Sequence, residues 1–345
     1  MCLCTSAFIC SLIKAKKGHY NWLQFLEPYR VYHKFTCCVS CWLEINLLFM
    51  VIKIFISLVS FFYVQSLHFN FLYGQEINNL QHTKPKTSIP IDTLQVSVDN
   101  HKMSMYVSGS GKYTVVLEAG GASNHGCWRA VDTQIAKLTR VISYDRPGYL
   151  KSEICNKTRD AVTVAKELRQ ALQTAGYPPP YILVGWSLGG AFARAFCGLF
   201  PGSVVGLILV DPTPEDVYAR AEKEFPELLF GDSIYMKELL ASKNRPGERA
   251  ENIVFDSSMN QARRSDAFHS TPTTLLIATH GKAPGEFVND PNNPINRIWV
   301  EELVKWAANR PKLQYKLIEN SGHHIAKTRP EIVVKAILEM IEQIK

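Results

Sequence analysis

The 345-residue sequence lacks the spacings that would turn its nine cysteines into a metal module or a disulfide scaffold. Six of them (Cys2, Cys4, Cys10, Cys37, Cys38 and Cys41) crowd into the first 41 residues, and only Cys127, Cys155 and Cys197 serve the rest. No pair of CxxC motifs and no Cys/His spacing suited to zinc occurs, so neither plan organises the chain. Strong charge is also missing. The balance of 38 basic and 31 acidic residues leaves +7, too mild and too dispersed for a nucleic-acid surface. No G-x-G-x-x-G or phosphate-binding lysine motif follows a strand-like run, and no repeat or low-complexity tract is present. Nothing in these patterns requires a metal or a cofactor. What remains is 46% hydrophobic and 20% charged, the composition of an ordinary folded protein.

Residues 1–75 differ from the rest, holding six basic residues and two acidic ones. Within them Ile45 to Val64 is a 20-residue apolar run, long enough to span a bilayer as a helix. Its one charge, Lys53, costs roughly 2.5–3.5 kcal/mol near the middle of a span. A signal peptide avoids that cost. Lys53 followed by eleven apolar residues resembles a charged n-region and an h-region, with cleavage after Gly74 and residues 1–49 lying upstream. The expectation is therefore a secreted or membrane-anchored protein, with both routes open. Residues 76–91, with Pro85 and Pro90, read as a linker, and the folded domain is expected over 92–345.

From Thr93 onward, short β-branched runs alternate with helical patterns. Residues 95–98 and 103–107 form an opening hairpin, followed by strands over 113–117, 140–144, 181–185, 204–210, 273–279 and 313–318. Val164, Leu168 and Leu172 stripe a helix that ends at Gly176, and Val333, Ile337, Met340, Ile341 and Ile344 stripe a closing one. The fold class is α/β: an eight-stranded, mostly parallel sheet with flanking helices. About residues 212–271 the alternation stops and only helical pieces remain, punctuated by Pro226 and Pro246; this insertion reads as a helical cap.

The run Tyr181 to Gly185 leads into Gly185-Trp186-Ser187-Leu188-Gly189-Gly190, a G-x-S-x-G between strand and helix. At such a turn, side chains on the flanking glycines would collide with the neighbouring strand and helix. Ser187 is the candidate nucleophile, with the Leu188 N–H at a helix start. Here the chain resembles the α/β-hydrolase family, over about residues 92–345. Val115 to Gly121 resembles the end of that family's third strand, with Ala119 where a histidine is usual. The resemblance implies that Gly121 and Leu188 supply the two oxyanion N–H groups. Asp145-Arg146-Pro147-Gly148-Tyr149 resembles the family's turn after strand 4, in which Asp145 and Arg146 are expected to pair with each other.

Asn320-Ser321-Gly322-His323-His324 resembles the loop that carries the family's histidine. The imidazole directly after the glycine makes His323 the general base and leaves His324 a solvent-facing neighbour. Adjacent side chains point apart, which disfavours a metal pair. The acid is less defined. The family's usual position after strand 7 holds Pro284 in His280-Gly281-Lys282-Ala283-Pro284. Asp211, at the end of strand 6, is the preferred alternative, with Asp216 and Glu286 next and Glu215 and Asp290 as reserves. The chain order of serine, acid and histidine is the one this fold uses.

Such a set implies a serine hydrolase of esterase or lipase type, acting on a small lipophilic molecule in a pocket bordered by Trp128 and Trp186. Phe192 is assigned equally to the pocket or the core, and Ser123, Asn124 and His125 mainly to a turn. Epoxide hydrolases and dehalogenases of the same fold need an aspartate where Ser187 stands. A second class stays open: a non-catalytic ligand-binding protein on this fold, for which the ill-defined acid is the clue.

Overall fold

The computed structural model describes residues 89–229, 237–265, 267–279, 294–308, 310 and 313–345, which fall within one compact unit, Pro85–Lys345. The apolar run 45–64 lies outside the described residues. Among those described, no helix is long and apolar enough to cross a membrane.

Eight strands form one sheet in the order β1-β2-β4-β3-β5-β6-β7-β8. The antiparallel hairpin β1 (Ile91–Val98) and β2 (His101–Ser108) sits at one edge, and β2 pairs antiparallel with β4 (Arg140–Tyr144). From there β3 (Thr114–Glu118), β5 (Tyr181–Trp186), β6 (Val204–Val210), β7 (Thr273–Ala278) and β8 (Leu313–Ile318) continue in parallel. The strands lie at the places the sequence predicts. Strands β3 to β7 read as nearly continuous hydrophobic runs because a parallel sheet is covered on both faces, whereas β8, at the edge, exposes Tyr315 and Leu317.

Successive side chains leave a strand on opposite faces, and two core layers follow from that period. Leu183, Leu207, Leu209 and Leu275 face one layer, with Leu168 of α2 (Ala161–Thr174) and Phe192 and Phe196 of α3 (Leu188–Leu199). Ile182, Val184, Ile208, Val210 and Leu276 face the other. There they meet Val131 and Ile135 of α1 (Arg129–Ile135) and Val333, Ile337 and Met340 of α8 (Pro330–Gln343). Asp160 caps α2 by accepting from the Thr163 N–H at 2.9 Å.

Between β6 and β7 the described elements are helical, as the loss of alternation predicts. They include α4 (Val217–Glu224), residues 237–241, α5 (Pro246–Ile253) and α6 (Phe255–Arg264). Two details differ from expectation. Pro246 starts a helix, because proline at N1 loses no intrahelical hydrogen bond. The break expected there falls instead at Val254, between α5 and α6. In addition, α6 packs on α2 and α3, and its Met259 and Ala262 enter the core layer that holds Phe196. That part of the insertion belongs to the body of the sheet. A helix absent from the sequence reading, α7 (Pro294–Ala308), contributes Ile298, Trp299 and Leu303 to the same layer.

Leu183 is fully buried at the centre of the sheet, whereas Leu138 is 57% exposed. Leu183→Ala is expected to lower unfolding stability by about 2–5 kcal/mol. Leu138→Ala should change it by no more than about 0.5 kcal/mol. Urea denaturation of the two variants beside wild type measures both.

Candidate active site

The C-terminal ends of the parallel strands bring together residues far apart in the chain. β5 runs into α3 through Ser187, whose backbone sits at φ 54° and ψ −126°. A non-glycine residue held there costs about 1–3 kcal/mol and persists only where its surroundings enforce it. The surroundings are visible at the flanking glycines. A Cβ on Gly185 would stand 2.6 Å from the Gly189 carbonyl oxygen, and one on Gly189 would stand 2.6 Å from the Glu118 oxygen and strike that of Ala119. The turn is compressed between its own helix and the end of β3, and the serine is its apex.

Ser187 Oγ lies 2.9 Å from His323 Nε2, and His323 Nδ1 lies 2.8 Å from Asp211 Oδ2. Asp211 follows β6 directly, is fully buried and has a positive φ of 44°. Its N–H donates to the Leu276 carbonyl at 2.7 Å, and its Oδ1 accepts from the Ala278 N–H at 3.0 Å. The carboxylate is thus clamped between β6 and β7 before it meets the imidazole. His323 is 8% exposed. Its carbonyl accepts from Trp186 Nε1 at 2.8 Å, and its ring has Trp186 and Trp299 at centroid distances of 5.3 and 5.1 Å. An imidazole held by two indoles and a buried carboxylate has one orientation, with Nε2 toward the serine.

The other candidates separate clearly. Gly121 and Leu188 are adjacent: a Cβ on Gly121 would lie 3.3 Å from the Leu188 side chain. The Leu188 N–H opens α3 and belongs to the helix-end donors with no intrahelical acceptor. Asp216 is not gathered in. It is paired with Arg263 at 2.6 Å, with half its side chain in solvent. Glu215 is buried against Arg194 at 2.6 Å. Glu286 and Asp290 lie outside the described residues. Trp128, expected at the pocket, is fully buried in the core layer with Val131 and Ile135, where a large apolar ring fills the space under α1. Phe192 likewise belongs to the core. His324, expected in solvent, is half-buried, its ring 4.3 Å from that of Trp186 and tilted 46° to it.

The turn after β4 also departs from expectation, since Asp145 and Arg146 take different partners. Asp145 accepts from Tyr106 Oη at 2.9 Å and from the His125 N–H at 3.1 Å, and lies 2.8 Å from His125 Nδ1. Arg146 turns inward between Glu118, 2.8 Å away, and Glu251 of α5, 2.6 Å away. Burial pushes Glu118 up to about 7, against the pull of Arg146 and the hydrogen bond from Tyr144, as suits two carboxylates sharing one guanidinium. Sequence reading also missed Thr213, whose Oγ1 is 3.4 Å from Ser187 Oγ. Its place two residues after the buried acid was the available signal.

Among the described residues, His101, Cys155 and Glu167 hold possible metal-ligand atoms within 4.8 Å of one another. Arg159 occupies that ground: its Nη1 is 2.6 Å from Glu167 and 3.2 Å from Cys155 Sγ. A fixed guanidinium on two of three donors suits an ion pair and repels a cation.

Comparison with known proteins agrees with this architecture. Residues 115–336 match the family described as the alpha/beta hydrolase family. The uncharacterized protein YqjL of Bacillus subtilis is 31% identical over 232 residues, covering 67% of this chain and 85% of that protein. A pimeloyl-[acyl-carrier protein] methyl ester esterase of Hamiltonella defensa is 30% identical over 109 residues, covering 32% of this chain and 40% of that enzyme. Of six other curated relatives the chain spans between 20% and 40% of the length. Among solved structures, an esterase from Thermogutta terrifontis shares the fold, with a TM-score of 0.51 and 21% identity over 74% of this chain and 99% of that one. The chain belongs to the alpha/beta hydrolase family.

Proposed function

We propose that this protein is a serine hydrolase that cleaves an ester-type bond of a small lipophilic substrate through an acyl-enzyme. The observation that carries the reading is the pair of contacts made by one imidazole, 2.9 Å to Ser187 Oγ and 2.8 Å to Asp211 Oδ2. In the tautomer with the proton on Nδ1, His323 donates to Asp211 and leaves Nε2 to accept the serine proton as Oγ attacks the carbonyl carbon. The carbonyl oxygen becomes an oxyanion facing the N–H groups of Gly121 and Leu188. The imidazolium, stabilised by the buried Asp211 carboxylate, returns the proton to the leaving alcohol. Water then repeats the sequence on the acyl-enzyme and frees the acid.

A serine at position 187 argues against epoxide and haloalkane substrates, whose chemistry on this fold uses an aspartate there. The methyl ester esterase among the relatives supports an ester, and Trp186 and Trp299 beside His323 support an apolar substrate. The non-catalytic ligand-binding reading drew its strength from the undefined acid. Asp211 within hydrogen-bond distance of His323 weighs against it.

Wild type is expected to label with a fluorophosphonate at neutral pH, and Ser187→Ala is not. Unlabelled wild type beside a labelled control hydrolase would reject the enzyme reading. In a p-nitrophenyl ester assay, Asp211→Asn should lower turnover by about 10⁴-fold. Asp216→Asn, which loses only a surface pair, should stay within about twofold of wild type.

The apolar run 45–64 further supports export or membrane anchoring. Mass spectrometry of the mature protein is expected to find an N-terminus near Gln75, or the intact run in the membrane fraction. Full-length protein free in the cytosol would contradict both.

A further inference from the structure

The backbone that carries the Gly121 N–H is anchored from behind. A trans peptide is planar, so the Gly120 carbonyl and the Gly121 N–H point in opposite directions. That carbonyl accepts from Arg146 Nη2 at 2.7 Å, and the Gly121 N–H consequently faces away from the guanidinium. The peptide also lies against the nucleophile turn: a Cβ on Gly120 would stand 3.1 Å from Ser187 Cβ. Arg146 Nη1 holds the preceding carbonyl, that of Ala119, at 2.7 Å. One side chain thus fixes two consecutive peptide planes at the end of β3.

The guanidinium is fixed in turn, and its second clamp comes from the insertion. Glu251 of α5 takes Nε at 2.6 Å on Oε1 and Nη2 at 3.1 Å on Oε2, a bidentate grip that sets both position and plane. Tyr149 donates to Glu251 Oε2 at 2.8 Å. The Arg146 and Glu251 side chains are each only 1% exposed, so water cannot replace either partner.

We propose that Arg146 and Glu251 are positioning residues for the oxyanion site: α5, through Glu251 and Arg146, sets the Gly120–Gly121 peptide, and oxyanion stabilisation depends on α5 being docked. This rests on the ester-hydrolysis reading above. Neither residue touches the substrate; both act through the backbone they orient. A buried ion pair with a purely structural role would affect stability alone.

The test compares wild type and Glu251→Gln, which keeps the shape of the side chain and removes its charge, on p-nitrophenyl acetate and its thionoester. Thermal melting of each variant is recorded alongside. Sulfur accepts hydrogen bonds poorly, so preference for the oxo-ester reports on the oxyanion donors. The expected result is a fall in kcat of about 10-fold or more with KM within about twofold, and a shrunken oxo-ester preference. Arg146→Lys, which has one ammonium for three positions, should fall further. Unchanged kcat and preference in Glu251→Gln, whatever its melting temperature, would overturn the proposal. Should Glu251→Gln fail to fold, Tyr149→Phe is judged by the same ratio, because it removes only the hydrogen bond that steadies Glu251. A wild type that neither labels nor hydrolyses would remove the hydrolase reading itself, a distinct failure.

Discussion

The site depends on how closely the first turn of α3 approaches the end of β3. Gly189 lies where any side chain would strike the carbonyls of Glu118 and Ala119, and Gly185 lies against Gly189 itself. This contact holds Ser187 at positive φ, lifts its hydroxyl clear of the sheet and brings the Gly121 backbone beside Leu188. His323 and Asp211 come to Ser187 from the ends of other strands. They must reach a serine that two glycines have already placed.

Much of this was legible in the sequence because it is local or periodic. The strands announce themselves since both faces of a parallel sheet are dry, and the G-x-S-x-G turn is a local steric requirement written in adjacent residues. Legibility fails where partners are remote. Arg146 reads as half of a turn pair with Asp145, yet its clamp, Glu251, lies 105 residues away on a helix whose first residue, Pro246, reads as a break. The acid shows the same limit. Asp211 and Asp216 are five residues apart and chemically identical. Only the tertiary setting separates them, one fully buried between β6 and β7, the other on the surface with Arg263.

Trp128 and Trp186 make a similar contrast. Both are buried tryptophans beyond or at the C-terminal ends of central strands, and both look like pocket walls in a sequence. Trp186 precedes Ser187 in the chain and donates to the backbone of His323, so its position is tied to the site. Trp128 ends a short 3-10 turn and points into the layer beneath α1, so its position is tied to the core.

The clamp on Arg146 limits how this scaffold can be diversified. Insertions between β6 and β7 are a natural place to vary a binding surface while keeping the sheet. In this protein that segment also supplies Glu251, one of the two carboxylates that flank the buried Arg146 guanidinium. Breaking a buried pair of this kind costs roughly 3–5 kcal/mol, a large part of a typical domain's stability. A replacement insertion grafted here must therefore bring its own acid to the place of Glu251. The insertion is tied to the body of the fold at Glu251 as well as through Met259 and Ala262.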